Sequence, residues 1–379
     1  MTVINTDILT IGQNCTAAEA IQRGIACLAQ GELVVFPTET VYGVGQAVPA
    51  DGNIDKLATL KSRQDTKPFT AHIGKKSDIT RLGVGLSLLN QHFLKKMLPG
   101  PLTAVCMLQD DDLVTVGGYL TNAQIEALYF DQTIGIRYPQ NDVAEAILSG
   151  VSLPVVASSA NLAGHKPPVC GDSAISAMNG RVTLIINDGP CRYSKPSTVI
   201  RFEKNRYKVL REGVLDAGDI ERYFKMKIII VCTGNTCRSP MAEALLKRKI
   251  ATQCGASVDN LSDIGYDISS AGIMAADGVS ASAGAIEACE GVEINISGHQ
   301  SRLLTETLIR QADYLFTMGA SHRRAILEIV PEAAPKTALL AGDHDIADPF
   351  GMDIDWYVQC RKEIELAVAA RVTALVNAL

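Results

Sequence analysis

The sequence predicts an α/β protein of two domains, the first an α/β or α+β domain of mixed strands and helices, the second a small, doubly wound parallel sheet. Three observations carry this. A content of 47% hydrophobic and 20% charged residues gives a globular chain with a sizeable core. Over roughly 1–215, short apolar runs alternate irregularly with helical patterns. From 228 onward the order is strand, loop, helix, repeated.

In order, Thr16-Ala-Ala-Glu19 is a capping box that opens a helix ending near Gly31. Leu33–Phe36 is a buried strand running into Pro37, and Pro37–Gly45 reads as a strand leading into a glycine-rich turn. Further strands are expected at Leu102–Met107, Thr133–Arg137, Pro154–Ala157, Val182–Ile186 and Thr198–Phe202. Glu212–Gly218 is turn-like and 219–225 short and polar, so the first domain is placed at 1–215, a linker at 216–225 and the second domain at 226–379. Met226, directly before the next strand, fits the old start of an independent protein joined by gene fusion. After it come strands Ile228–Val231, Ser269–Ala271 and Tyr314–Met318, with helices Ala242–Ile250, Ala281–Ala288, Arg323–Ile329 and Tyr357–Ala378.

No apolar run approaches the ~18 residues of a membrane span. The opening MTVINTDILT lacks a basic stretch followed by an apolar core, so no secretory signal is expected. Ten cysteines without a Cys-x-x-Cys pair do not make a disulfide scaffold, and a reducing, cytoplasmic location follows. Residues 1–225 carry 22 Lys+Arg against 22 Asp+Glu, and 226–379 carry 13 against 19. Neither balance favours bulk nucleic-acid binding.

The densest chemistry lies in Cys232-Thr-Gly-Asn-Thr-Cys-Arg238-Ser239-Pro240, between a strand and a helical pattern. Loop N–H groups converging at a helix N-terminus make an oxyanion cradle. Arg238 brings a planar fork for two phosphate oxygens. The same field favours Cys232 as a thiolate beneath the phosphate, the apparatus of a phosphoenzyme reaction.

The segment VCTGNTCRSPMAEALL, with Asp348-Pro349-Phe350, His299-Gln-Ser-Arg302 and Ala312-Asp313…Met318, resembles the low-molecular-weight protein phosphatases over essentially all of 226–379. The resemblance implies Cys232 as nucleophile, Arg238 as phosphate ligand, Ser239 as hydrogen-bond donor to the thiolate, and Asp348 as acid, then base. Thr233, Gly234, Asn235, Thr236 and Cys237 complete the loop, and Cys237 could trap oxidised Cys232 as a disulfide. No cofactor or metal is implied there. Family members acting on phosphotyrosine usually carry an aliphatic residue where Thr236 stands, whereas those resembling bacterial protein-arginine phosphatases carry Thr. A hydroxyl can bond a phosphoguanidinium, and Phe350 followed by Gly351 is a leaner wall than paired aromatics, so phosphoarginine in proteins is the expected substrate.

In the first half, PTETVYGVG from Pro37, Lys61-Ser-Arg63, Lys67, His72, PGPLT from Pro99, Arg137, SSAN from Ser158, STV from Ser197 and Arg211-Glu-Gly213 form a set of cations, hydroxyls and small residues. Lys61-Ser-Arg63 reads as an extended segment placing two cations on one side, suited to a triphosphate. Together these resemble the threonylcarbamoyl-adenylate synthase family over about 10–215, which implies a YrdC-like α/β domain with a twisted mixed sheet. Such enzymes make threonylcarbamoyl-AMP and pyrophosphate from L-threonine, bicarbonate and ATP, and partner proteins pass the group to adenosine 37 of tRNA. The resemblance implies Lys61, Arg63, Lys67, Asn161 and Arg211 at ATP, with Mg²⁺ accompanying the triphosphate. It implies Thr38, Thr40, His72, Arg137, Ser159 and Ser197 around threonine. The expectation is a bifunctional enzyme without a membrane partner. The alternative is a tyrosine phosphatase whose first half only binds nucleotide or RNA.

Overall fold

The computed structural model describes residues 4–62, 69–82, 86–108, 116–203 and 206–376. They fall into two compact units, Met1–Leu86 with Leu94–Tyr223 and Ser87–Phe93 with Phe224–Leu379.

The strands of the first unit are β1 Asp7–Thr10, β2 Val34–Phe36, β3 Gly43–Ala47, β4 Thr70–His72, β5 Leu102–Met107, β6 Thr133–Arg137, β7 Val155–Ser159, β8 Leu184–Asn187, β9 Thr198–Glu203 and β10 Arg206–Arg211. They join in one sheet in the order β1-β8-β2-β3-β7-β4-β6-β5-β9-β10. The sheet is mixed: β1/β8, β2/β8, β4/β6 and β5/β9 are parallel, the other pairs antiparallel. Period-2 alternation sends Val34 and Phe36, Val155 and Ala157, and Leu184 and Ile186 to one face. There they pack on Ala20, Cys27 and Leu28 of helix Ala17–Ala29 and on Val143, Ala144 and Ile147 of helix Asp142–Gly150. Helix Ala17–Ala29 begins at the expected capping box: Glu19 N–H donates to Thr16 Oγ1, and the Glu19 carboxylate accepts from Thr16 N–H at 2.8 Å.

Three local readings change. Residues 37–42 are irregular, bending at 39–41, and the strand follows them as β3, antiparallel to β2, so the glycines of Gly43-Val-Gly45 lie in a buried strand rather than a turn. Lys61 closes a short helix, Asp55–Leu60, instead of lying on an extended segment. Residues 217–224 form a helix.

The second unit is a four-stranded, wholly parallel sheet: β11 Met226–Cys232, β12 Tyr266–Gly272, β13 Tyr314–Thr317 and β14 Thr337–Leu339, ordered β12-β11-β13-β14. Ile229 and Val231 on one face pack with Ile309 and Ile326, from helices Glu306–Gln311 and Ala320–Ile329. Helices Arg238–Cys254, Ala283–Glu290 and Ile354–Val376 pack against one another. The strand order reverses at β11, so a crevice opens beyond its carboxyl end, next to that of β13.

Candidate active sites

Cys232 is the last residue of β11, and the loop after it feeds helix Arg238–Cys254 at that crevice. The buried Cys232 sulfur receives the Asn235 N–H at 3.2 Å and lies 2.9 Å from Ser239 Oγ. Asn235 Nδ2 donates to Ser239 Oγ at 2.8 Å, which leaves the serine proton for the sulfur. Nδ2 also donates to Ser270 Oγ at 2.9 Å, Ser270 donates to Glu243 at 2.6 Å, and Asn235 Oδ1 accepts from Arg302 N–H at 2.9 Å. Asn235 holds a left-handed backbone at φ 56°, which turns the loop so that its N–H faces the sulfur. Gly272 lets β12 approach the loop: a Cβ there would lie 2.5 Å from Thr233 O.

The Arg238 side chain is buried. Its Nη1 donates to Ile346 O at 3.0 Å, its Nη2 pairs with the Asp348 carboxylate, and its buried Nε has no acceptor among the described residues. Asp348 is half-exposed at the mouth, accepts from Phe350 N–H at 3.2 Å, and stands beside the exposed Phe350 ring and Gly351, φ 80°. Thr233 Oγ1 meets His322 Nε2 at 3.0 Å, and burial together with the Arg238 charge pushes His322 below its ordinary range. Thr236 is half-buried, with its carbonyl accepting from Ser282 N–H at 2.9 Å. Gly234 is likewise half-buried in the loop. Cys237 Sγ lies 3.2 Å from Ser282 Oγ and 3.6 Å from Tyr357 OH.

In the first unit, His72, Arg137, Ser159, Ser197 and Arg211 line one open cavity. Arg137, at the end of β6, is buried; its Nη2 donates to Thr40 Oγ1 at 2.5 Å, to Glu39 Oε1 at 3.2 Å and to Thr38 Oγ1 at 3.4 Å. Glu39 is buried too and accepts from Gln140 N–H at 3.1 Å through its other oxygen. Thr38 and Thr40 therefore sit behind Arg137 as its acceptors. Arg211 donates to Ser197 O at 2.8 Å, and Ser197 Oγ meets Thr103 Oγ1 at 2.9 Å. Burial and the neighbouring Arg137 charge both lower Arg211, so two guanidiniums sense each other across a cavity suited to anions. Lys61 Nζ donates to Ser159 O at 3.0 Å and Asn161 O at 2.6 Å, which brings it to the same rim. Asn161 Oδ1 accepts from Ser159 Oγ at 2.5 Å, while its Nδ2 bonds Leu162 O and His165 O. Arg63 and Lys67 lie outside the described residues.

His72, buried at the end of β4, has its Nδ1 3.0 Å from Thr70 O. Burial first, then the Arg137 charge, push it down to about 3. The neutral ring donates Nδ1–H to that carbonyl and keeps Nε2 as an acceptor.

Several partners are absent from the reading of the sequence: Glu39 behind Arg137, and Ser270, Glu243, His322, Ser282 and Tyr357 around the cysteine loop. Glu39 and Glu243 had a signal, each a carboxylate inside a motif, PTETVYGVG and VCTGNTCRSPMAEALL. The others are single polar residues far along the chain, with no local pattern. Among the described residues no cluster of His, Cys, Asp and Glu could hold a metal ion, and no helix is long and apolar enough to cross a membrane. All ten cysteines are free.

A buried thiol and arginine on a strand-to-helix loop, faced by an aspartate, define a cysteine-dependent phosphatase fold in the second unit; a mixed sheet carrying a cationic cavity defines the first. Residues 227–378 belong to the low molecular weight phosphotyrosine protein phosphatase family, and residues 26–213 are a Sua5/yciO/yrdC domain, a family described under telomere recombination. The chain is 41% identical over 145 residues to the protein-arginine-phosphatase of Bacillus subtilis (strain 168), covering 37% of this chain and 90% of that one. It is 29% identical over 204 residues to the threonylcarbamoyl-AMP synthase of the same organism, covering 53% of this chain and 55% of the other, so it spans about half the length of that relative. A solved Sua5 structure from P. abyssi, at 23% identity, matches with a TM-score of 0.50 over 65% of this chain and 76% of that one, a likeness of fold.

Proposed function

We propose that the chain is bifunctional, with 1–215 and 226–379 as its two domains. The second removes phosphate from phosphoarginine in proteins through a phosphocysteine. Cys232 attacks phosphorus as a thiolate while the P–N bond breaks, and Asp348 gives its proton to the departing guanidine nitrogen. The loop N–H groups and Arg238 hold the phosphoryl oxygens. Asp348, now a carboxylate, takes a proton from water, and that water attacks the phosphocysteine and frees the thiolate. The observation that carries this reading is the convergence at one mouth of the Ser239- and Asn235-bonded Cys232 sulfur and the Arg238–Asp348 pair. Phosphoarginine rather than phosphotyrosine rests on Thr236 and on the likeness to protein-arginine-phosphatases.

The first domain forms threonylcarbamoyl-AMP from L-threonine, bicarbonate and Mg²⁺–ATP. The cavity supports this with cations for phosphate and carboxylate at Arg211, Arg137 and Lys61 and with an acceptor at His72. Catalysis there is positioning and charge neutralisation. The metal travels on the triphosphate, consistent with a cavity whose buried carboxylate, Glu39, already serves Arg137. The product goes to proteins that carry the group to tRNA, in the cytoplasm.

The test uses the full chain on phosphoarginine and phosphotyrosine peptides, with Thr236→Ile in parallel. A phosphoarginine preference that reverses in the variant supports the assignment; a phosphotyrosine preference in the unmodified chain rejects it. Pyrophosphate release from ATP that requires both threonine and bicarbonate tests the first domain. Nucleotide binding without turnover would reduce it to a binding module.

A further inference from the structure

The acid, Asp348, sits on a loop, and the first turn of helix Ala320–Ile329 fixes that loop. The helix starts at Gly319, which offers no side chain to its free N–H groups. Asp345, on the acid loop, supplies the cap instead: its Oδ1 accepts from Ala320 N–H at 2.8 Å. A carboxylate at a helix N-terminus is also favoured by the helix dipole. Gly319 makes the approach possible, since a Cβ there would lie 2.7 Å from Asp345 Oδ2 and 2.8 Å from its Cγ. At φ −172° any residue could adopt this backbone, so the glycine is needed for room alone.

The next residues extend the tie. Ile346 N–H donates to Met318 O at 2.8 Å, and Ile346 O accepts from Arg238 Nη1 at 3.0 Å. The same short segment holds the nucleophile's loop. Met318 N–H donates to Val231 O at 3.0 Å, one residue before Cys232, and His322 meets Thr233 one residue after it. Residues 318–322 thus grip both reacting loops, and Asp345 is the side chain by which they grip the acid's.

We propose that Asp345 is a positioning residue for the phosphatase: by capping the helix that also holds the nucleophile's loop, it sets where Asp348 stands relative to Cys232. This rests on the reading of Asp348 as the general acid. Misplacing a proton donor by a fraction of an ångström slows only a step that needs the proton. Hydrolysis of p-nitrophenyl phosphate, whose leaving group departs unaided, should be spared. Phenyl phosphate, whose leaving group needs protonation, should not.

The experiment compares kcat/KM on these two esters for the full chain and for Asp345→Ala, Asp345→Asn, Gly319→Ala and Asp348→Asn, with far-ultraviolet circular dichroism confirming folding. Asp345→Ala and Gly319→Ala are expected to lose about tenfold on phenyl phosphate and less than about twofold on p-nitrophenyl phosphate. Asp345→Asn keeps an oxygen acceptor and should stay near the parent. Gly319→Ala carries the test if Asp345→Ala does not fold. Equal losses on both esters, or no loss beside a leaving-group-dependent Asp348→Asn, would overturn the proposal. If Asp348→Asn itself shows no leaving-group dependence, the reading of Asp348 as the acid fails first, and that result is distinguishable from the others.

Discussion

Arg238 and Asp348 form an ion pair across the mouth of the cysteine loop, with the arginine buried and the aspartate half-exposed. On the roles proposed above, the phosphate ligand and the proton donor therefore hold each other before substrate arrives. On that proposal, a phosphoryl oxygen reaching Nη2 would displace the carboxylate toward the leaving group. Arg238→Lys keeps the charge but removes the fork and the second donor to Ile346 O. Its expected effect is a loss of about 30–150-fold in kcat/KM on p-nitrophenyl phosphate, from about 2–3 kcal/mol of charge-assisted hydrogen bonding. Steady-state hydrolysis at matched pH checks it.

The two activities should separate cleanly by mutation. Cys232→Ser removes the thiolate and is expected to abolish phosphatase turnover while leaving threonine- and bicarbonate-dependent pyrophosphate release intact. Lys61→Ala, which removes the amine bonded to Ser159 O and Asn161 O, should do the reverse. Both assays on both variants check this, and loss of both activities in one folded variant would reject independent sites.

The two sites differ in how openly the chain declares them. The cysteine loop was legible because its parts are contiguous: Cys232, Asn235, Arg238 and Ser239 occupy one strand-to-helix turn, and backbone geometry alone makes them converge. Helix Ala17–Ala29 was legible because its cap is local. Gly43–Ala47 was misplaced because two glycines imitate a turn, and only packing between β2 and β7 makes them a strand. The edge strand Arg206–Arg211 hid behind its charged, exposed residues. Ser270 and His322 are brought to the loop, and Asp345 to the helix start at Ala320, only by sheet order, which single residues in a sequence do not encode.

Asn235 joins strain to a full set of hydrogen bonds, so its replacement should cost stability as well as rate. Asn235→Ala places an alanine at φ 56° and leaves the part-buried Arg302 N–H and the buried Ser270 hydroxyl short of a partner. The expected loss is about 2–4 kcal/mol for the second unit. Asn235→Gly relieves the backbone and should recover about 1 kcal/mol without restoring the bonds. Trp356, the one tryptophan of the chain, lies in this unit, so urea unfolding followed by its fluorescence reads the difference.

The buried His72 gives the first unit a pH dependence of defined sign. Its folded value near 3 lies below the ordinary 6.5, because burial and then the Arg137 charge disfavour the imidazolium. The unfolded chain therefore takes up a proton below pH 6.5 that the folded chain refuses. The contribution is fully present above pH 6.5 and is lost as pH falls from 6.5 toward 3, at about 1.4 kcal/mol per pH unit. Between pH 7.5 and 5 this group alone should remove about 2 kcal/mol. His72→Gln cannot take the proton and should flatten that part of the dependence. Fluorescence of Trp356 would not see the change, since the tryptophan belongs to the other unit. Hydrogen exchange of the β4 and β7 amides at both pH values would. A variant whose protection falls as steeply as that of the parent would mean that another group carries the acid sensitivity.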